Sequence, residues 1–178
     1  KFFNKSPEDL DRSIAVLPFD NESTDESNAY FVNGMMEDIR NNLAKIGDLR
    51  VISKTSTEKY RETDLSIKEI AQELKVAFLL EGTVQRSGNK VKIHAQLIEA
   101  GSDAHVWTET YLRDLNDVFS IQSDIAQAIA SELYTVITPD ELSIIETPPT
   151  SDITAYDIFL RARDQHNNYW SDNMNIKA

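Results

Sequence analysis

From Phe78 to Leu115 hydrophobic and polar residues alternate with a period of two, interrupted by two clusters of turn residues. Val91, Ile93, Ala95 and Leu97 alternate with Lys90, Lys92, His94 and Gln96, which predicts a strand with one buried and one polar face. The turn Ser87-Gly88-Asn89 before it is too short for a crossover, so only an antiparallel hairpin fits. Gly101-Ser102-Asp103 makes the next turn and leads into a third strand from Ala104 to Leu112. His105, Trp107, Glu109 and Tyr111 are expected on one face of that strand, and Glu81, Thr83 and Gln85 on a face of the first.

The first half of the chain follows a different rhythm. Ser13 to Phe19 is a short apolar run ended by Pro18, the pattern of a buried strand, and Asp20 to Ser27 is expected to be a polar loop. Phe31, Val32, Met35, Met36, Ile39, Leu43 and Ile46 recur by threes and fours, one face of a helix stopped at Gly47. Leu49 to Ile52 is expected to be a second short buried strand and Thr55 to Asp64 a loop. Ser66 and Glu69 form a capping-box pattern ahead of Ile67, Ile70, Ala71 and Leu74. This strand–helix–strand–helix–strand order favours parallel pairing through right-handed crossovers.

After the sheet, Asn116 or Asp117 is expected to cap a helix carrying Val118, Ile121, Ile125, Ala126, Ile129, Leu133 and Val136, with Gln122 as a polar exception in the stripe. Thr138-Pro139 and Thr147-Pro148-Pro149 are expected to break the chain. Ala155 to Tyr169 then carries Tyr156, Phe159, Leu160 and Ala162 on a helical pattern. A lone amphipathic helix is only marginally stable in water, so it either docks on the domain or begins a larger helical array. The organisation expected is a linker over 1–12, an α/β domain over 13–137, a linker over 138–150 and the start of a helical region over 151–178. The fold class is α/β: a mixed sheet, parallel βαβαβ first and an antiparallel meander second, with helices packed on it.

Charge narrows the partners. Lys and Arg total 18 against 30 Asp and Glu, a formal net charge of −12, and such a surface repels phosphate backbones and anionic lipid. Direct nucleic-acid binding by this chain is therefore disfavoured. The chain has no Cys, which excludes disulfides, thiolate metal sites and cysteine nucleophiles. No apolar run reaches the roughly 18 to 20 residues of a membrane span and no signal peptide is visible, so a soluble segment is expected, with any membrane attachment outside it. The first residue is Lys1, which suggests a segment of a longer protein.

The residues with chemical potential do not assemble into a reaction centre. His94, His105 and His166 lack the i, i+2 or i, i+4 partners of a common zinc site. Ser53, Ser56 and Thr57 have neither a nucleophile elbow nor a nearby His, and the five glycines form no phosphate-binding pattern. Glu81 and Glu109 could be paired acids only if a cleft held them roughly 5 to 10 Å apart. No metal and no cofactor is expected. Ligands of open α/β sheets tend to bind beyond the carboxyl ends of parallel strands, which here carry Phe19, Asp20 and Asn21 and then Ser53, Lys54, Thr55 and Ser56. That crevice is the candidate site for a small ligand or a peptide. Trp107, among the aromatics of the third strand, is a further candidate contact; the alternative there is cross-strand packing.

Five segments in order, IAVLPFDN from Ile14, YFVNGMMEDIRNNLAKI from Tyr30, LRVISKTST from Leu49, LLEGTVQRSGNKVKIHAQLIEA from Leu79 and HVWTETYLRDLNDVFSIQSDIA from His105, resemble the TolB-type amino-terminal domain that precedes tetratricopeptide repeats in bacterial signalling proteins and transcriptional regulators. The tail AYDIFLRARDQHNNYW resembles the start of such repeats. The resemblance implies an accessory module beside an output domain, either a DNA-binding domain or a nucleotide cyclase, often after a transmembrane helix. KFF at the start would suit the exit from such a helix, and a cytoplasmic output domain upstream would place the module on the periplasmic side of the inner membrane. The expected function is a non-catalytic sensory, regulatory or protein-interaction module that binds a protein partner or small ligand, with a homodimer compatible. The alternatives are a fragment of a cyclase-type enzyme whose catalytic domain lies elsewhere, or an envelope assembly protein.

Overall fold

The computed structural model describes residues 12–175, with side chains to Asn167; the expected linker over 1–12, Arg12 apart, and the KFF start lie outside the described residues. In chain order the elements are β1 (Ser13–Val16), β2 (Asp20–Asn21), α1 (Ala29–Ala44), β3 (Arg50–Val51), α2 (Lys54–Thr57), α3 (Ile67–Leu74), β4 (Phe78–Ser87), β5 (Lys90–Glu99), β6 (Ala104–Asp114), α4 (Val118–Glu132), α5 (Pro139–Glu146) and α6 (Ile153–Asn175). The sheet runs β3-β1-β4-β5-β6, with β2 also on β4. β1 is parallel to β3 and β4, and β4, β5 and β6 form the antiparallel meander. The mixed α/β sheet expected from the sequence is the fold.

Burial explains the two rhythms. β1 is buried at every position because helices cover both faces of the parallel part, so its sequence reads as a continuous apolar run. In β5 Val91, Ile93, Ala95 and Leu97 enter the core formed with α1 and α4, while Lys90 and Lys92 are exposed. A smaller core on the opposite face joins Ala15, Leu17 and Leu79 to Tyr60, Ile70 and Ala71. α2 and α3 reach only this end, so the rest of that face of the meander is an open polar surface. Gly88, at φ +56°, allows the β4–β5 reversal where an L side chain would be strained.

Several expectations need correction. Asp20 and Asn21 are not loop: they pair in parallel with Thr83 and Val84, extending the line of β1 past Pro18. Between Thr55 and Asp64 the chain forms the end of α2 and a 3₁₀ turn, Glu58–Tyr60, which delivers Tyr60 to the smaller core. β3 is two half-buried residues rather than a buried strand, because it is a sheet edge. Asp117 occupies the N-cap of α4 as expected, but its side chain makes no capping bond, and a 3₁₀ turn, Leu115–Asp117, leads into the helix. Thr138-Pro139 starts a helix instead of ending structure: Thr138 and Glu141 form a capping box, and Pro139 stands in the first turn, where its missing N–H costs nothing. The segment expected to be linker thus holds α5.

The four residues expected on one face of β6 do not all share it. The β5–β6 register shifts between Leu97↔Trp107 and Ile98↔His105. The extra residue reverses the side-chain alternation, so His105 points away from Trp107, Glu109 and Tyr111 and reaches Gln96 on the open face, 3.0 Å from its Oε1.

Candidate functional site

α6 is built onto the body of the domain. Tyr156 and Leu160, one turn apart, are 2% and 1% exposed and give the helix a narrow buried stripe. It meets α1 at Gly34, where a Cβ atom would come within 2.7 Å of both Leu160 methyl groups. The glycine lets the helices close to contact. The described part of the tail docks on the domain.

Two aspartates hold this helix in place. Asp38 of α1 accepts from Arg163 Nη1 at 3.0 Å and from the Tyr156 hydroxyl, and Gln122 Nε2 of α4 donates to that hydroxyl at 2.9 Å. The polar exception in the α4 stripe is therefore the group that satisfies a buried tyrosine. Burial, and then the Asp38 charge beside it, push the Tyr156 hydroxyl far above its ordinary pKa, so it remains a donor. Asp157, the next residue of α6, accepts from Tyr30 at 2.6 Å, from Arg86 and from Arg161 Nε at 3.0 Å. Burial pushes its carboxyl up, but the bonds from Tyr30, Arg86 and Arg161 outweigh this and hold its pKa at about 2. Arg86 also lies 4.9 Å above the Phe31 ring, and Asn33 donates to Asp164 at 3.1 Å.

Beside Asp38 a cleft of about 510 Å³ opens between α1, α4 and the end of α5, lined by Asn41, Lys45, Phe119, Gln122 and the strap from Ile144 to Pro149. A second cleft of about 510 Å³ lies between α4 and the 146–153 segment, with Ser120, Asp124 and Gln127 on its wall. Both share Phe119, Glu146 and Pro148. Phe119 also packs edge-on to Tyr156, ring centroids 4.7 Å apart. A molecule entering the first cleft would touch Asp38, Gln122 and Phe119, which support α6, and one entering the second would touch Phe119.

Of the residues singled out from the sequence, those that follow the neighbouring strands β1 and β3 lie at one end of the sheet and Trp107 stands apart. Phe19 is 2% exposed, packed in the larger core with its ring over Gly82. Asp20 and Asn21 run along β4, and Asn21 Oδ1 accepts from the Ser23 amide at 3.0 Å. Ser53 and Ser56 are 3.2 Å apart, Oγ to Oγ, at the start of α2, with Thr55 exposed between them. Lys54 is engaged with Glu37 at 2.9 Å. Trp107 is separated from β2 by β4 and β5, roughly 15 Å by strand spacing, and packs against the larger core. It lies outside the crevice. Glu81 pairs with Gln96, and Glu109 with Ala95; these rows project from opposite faces, so the two acids share no cleft. Among the described residues no group of three or more His, Cys, Asp or Glu could hold a metal ion, and no helix is long and apolar enough to cross a membrane.

The α6 contacts were missed because they link distant segments. Two signals are present: Gln122 in the apolar stripe of α4, and Arg86, which shares the inward parity of Leu80 and Val84 on β4, each a polar group at a core position that demands a partner.

Comparison with known proteins gives the following. The family described as "HilA/YgeH-like transcriptional regulator, second domain" matches residues 10–131. A protein of Rhizobium meliloti (strain 1021) named "Putative adenylate cyclase 3" is 38% identical over 151 residues, 85% of this chain. The chain spans only 26% of that relative's length. Among solved structures, TolB from Acinetobacter baumannii aligns with a TM-score of 0.51 at 16% identity, over 68% of this chain and 28% of that one. Lipoprotein GNA1162 from Neisseria meningitidis aligns with a TM-score of 0.51 at 19% identity, over 71% of this chain and 99% of that one. At these identities the likeness is one of fold, and the fold is TolB-like.

Proposed function

The chain belongs to the family of HilA/YgeH-like regulator second domains, a regulatory or signalling module, and from that membership we propose that it works without catalysis, binding a protein partner or small ligand and passing its state to attached segments through α6. The observation that carries this reading is the way α6 is held. Asp38 and Asp157 fasten it to α1, β4 and α4 through directional polar bonds, and the Asp38 bonds lie on the wall of a cleft. Switching between two discrete arrangements commonly repacks ion pairs at the interface of the moving element. Occupation of the cleft and docking of α6 are thus coupled through shared residues.

The outer side of α6 exposes Ile158 and Phe159, 62% and 55% accessible. These apolar positions suit the packing of a further helix, in keeping with the helical repeats that the sequence resemblance implies. The reading places the module on the periplasmic side of a membrane-anchored regulator, away from DNA, which its charge of −12 would repel. The relative named as a cyclase supports a second reading, a module attached to a nucleotide cyclase; its output would then be cyclic nucleotide instead of transcription.

The test uses the intact protein. Gly34→Leu, which pushes α6 off α1, should change the output at equal protein level, while the isolated chain turns over none of a substrate panel. Unchanged output with α6 displaced, or turnover by the chain alone, would sink this reading.

A further inference from the structure

β6 ends the sheet with eleven residues, whereas β3 at the other end has two. The amide of Leu115 donates to the carbonyl of Asn89 at 2.9 Å. That bond fixes the parity of the strand: odd-numbered residues from Trp107 turn their backbone groups toward β5, and Thr108, Thr110, Leu112 and Asp114 turn theirs outward. Exposed edges are ordinarily blunted by shortness, Pro, charged side chains (Lys above all), inward-pointing charges or a bulge, and of these β6 carries charges at Glu109, Arg113 and Asp114. β6 contains neither Pro nor Lys, and its bulge lies before Trp107. Leu112, on the outward row, is 63% exposed.

We propose that β6 pairs antiparallel with β6 of a second copy, about a two-fold axis at Tyr111. This register sets Glu109 of each copy opposite Arg113 of the other, Thr110 opposite Leu112 and Thr108 opposite Asp114, and joins the outward rows by about eight backbone hydrogen bonds. Charge selects it. An axis at Glu109 would oppose two glutamates, one at Arg113 would oppose two arginines, and axes at Thr110 or Leu112 leave both charges without an ionic partner. Glu109 and Arg113 are exposed, and Arg113 donates to the outward carbonyl of Leu112, at 3.1 Å, a bond that the second strand's amide would replace. Glu109 accepts from Tyr111 at 3.0 Å through Oε2, and Oε1 can take the arginine. Repulsion between two bodies of net charge −12 is screened beyond about 8 Å at physiological ionic strength, whereas these pairs act at contact.

The pairing does not depend on how α6 is used. Light scattering on the 178-residue chain across a concentration series tests it. The expected mass rises to twice 20.2 kDa. Thr110→Pro removes an outward N–H while sparing the bonds to β5, and Arg113→Glu sets two acids against each other; each should hold the mass at 20.2 kDa with an unchanged circular dichroism spectrum. The double exchange E109R/R113E should restore the doubled mass. A monomer at every concentration, a dimer indifferent to Thr110→Pro, or a double exchange that stays monomeric overturns the proposal.

Discussion

Asp157 and Arg86 form an ion pair between residues 71 positions apart, which ties α6 to the end of β4. Both side chains are largely covered, 20% and 15% exposed, so the pair is shielded from the solvent that weakens surface pairs. Tyr30 joins it by donating to Asp157 and accepting from Arg86 at 2.8 Å. Three elements therefore meet on one carboxylate.

That carboxylate makes the docking of α6 acid-sensitive. Its folded pKa, about 2, lies below the ordinary value of 3.8, so the stabilisation is complete above about pH 4 and is lost as pH falls through 2. Its size is about 2 kcal/mol. Asp157→Asn should be less stable than the wild type by about this amount near neutrality, and the gap should close toward pH 2. Denaturant titrations of both proteins at several pH values check this; a gap independent of pH counts against the assignment.

Tyr156→Phe removes the hydroxyl shared by Asp38 and Gln122. The ring still fills its site, but a buried amide and a carboxylate each lose a partner. A loss of about 1–3 kcal/mol is expected, measurable by urea unfolding, and Gln122→Leu in the same background should recover part of it.

Leu160→Ala leaves a cavity over Gly34, where the leucine methyls are nine-tenths or more enclosed. The expected cost is about 2–5 kcal/mol. Should the change instead cost no more than a surface substitution, the α1–α6 contact is not what holds the helix.

The sheet was legible because its signals are local. The alternation in β5, the Gly88 turn and the Ser66–Glu69 capping box each lie within ten residues of sequence, and all three appear where expected. The bulge that turns His105 was not legible, since it depends on register against Ile98 rather than on any residue of β6 alone. Pro139 is ambiguous in the sequence because proline can follow the end of one helix or open the next, and Thr138 with Glu141 decides between the two. The α6 network was hidden for a different reason. Its donors and acceptors come from α1, β4, α4 and α6, and only Arg86 and Gln122 betrayed themselves, as polar residues at buried positions.

Lys75 ends α3 at φ +55°, the left-handed conformation that glycine adopts without strain. Lys75→Gly should raise stability by up to about 1 kcal/mol. The gain is limited because glycine also loosens the unfolded chain, and thermal unfolding reads the sign directly; a lowered midpoint would show that the lysine is not strained there.

The most direct measurement is amide hydrogen exchange over residues 153–167 in the wild type and in Arg86→Met. The latched helix predicts strong protection in the wild type, loss of protection across this segment in the variant, and unchanged protection in β4 and β5. Equal protection of the segment in both proteins would show that the Arg86–Asp157 pair does not hold α6, and the coupling route through that pair would fail with it.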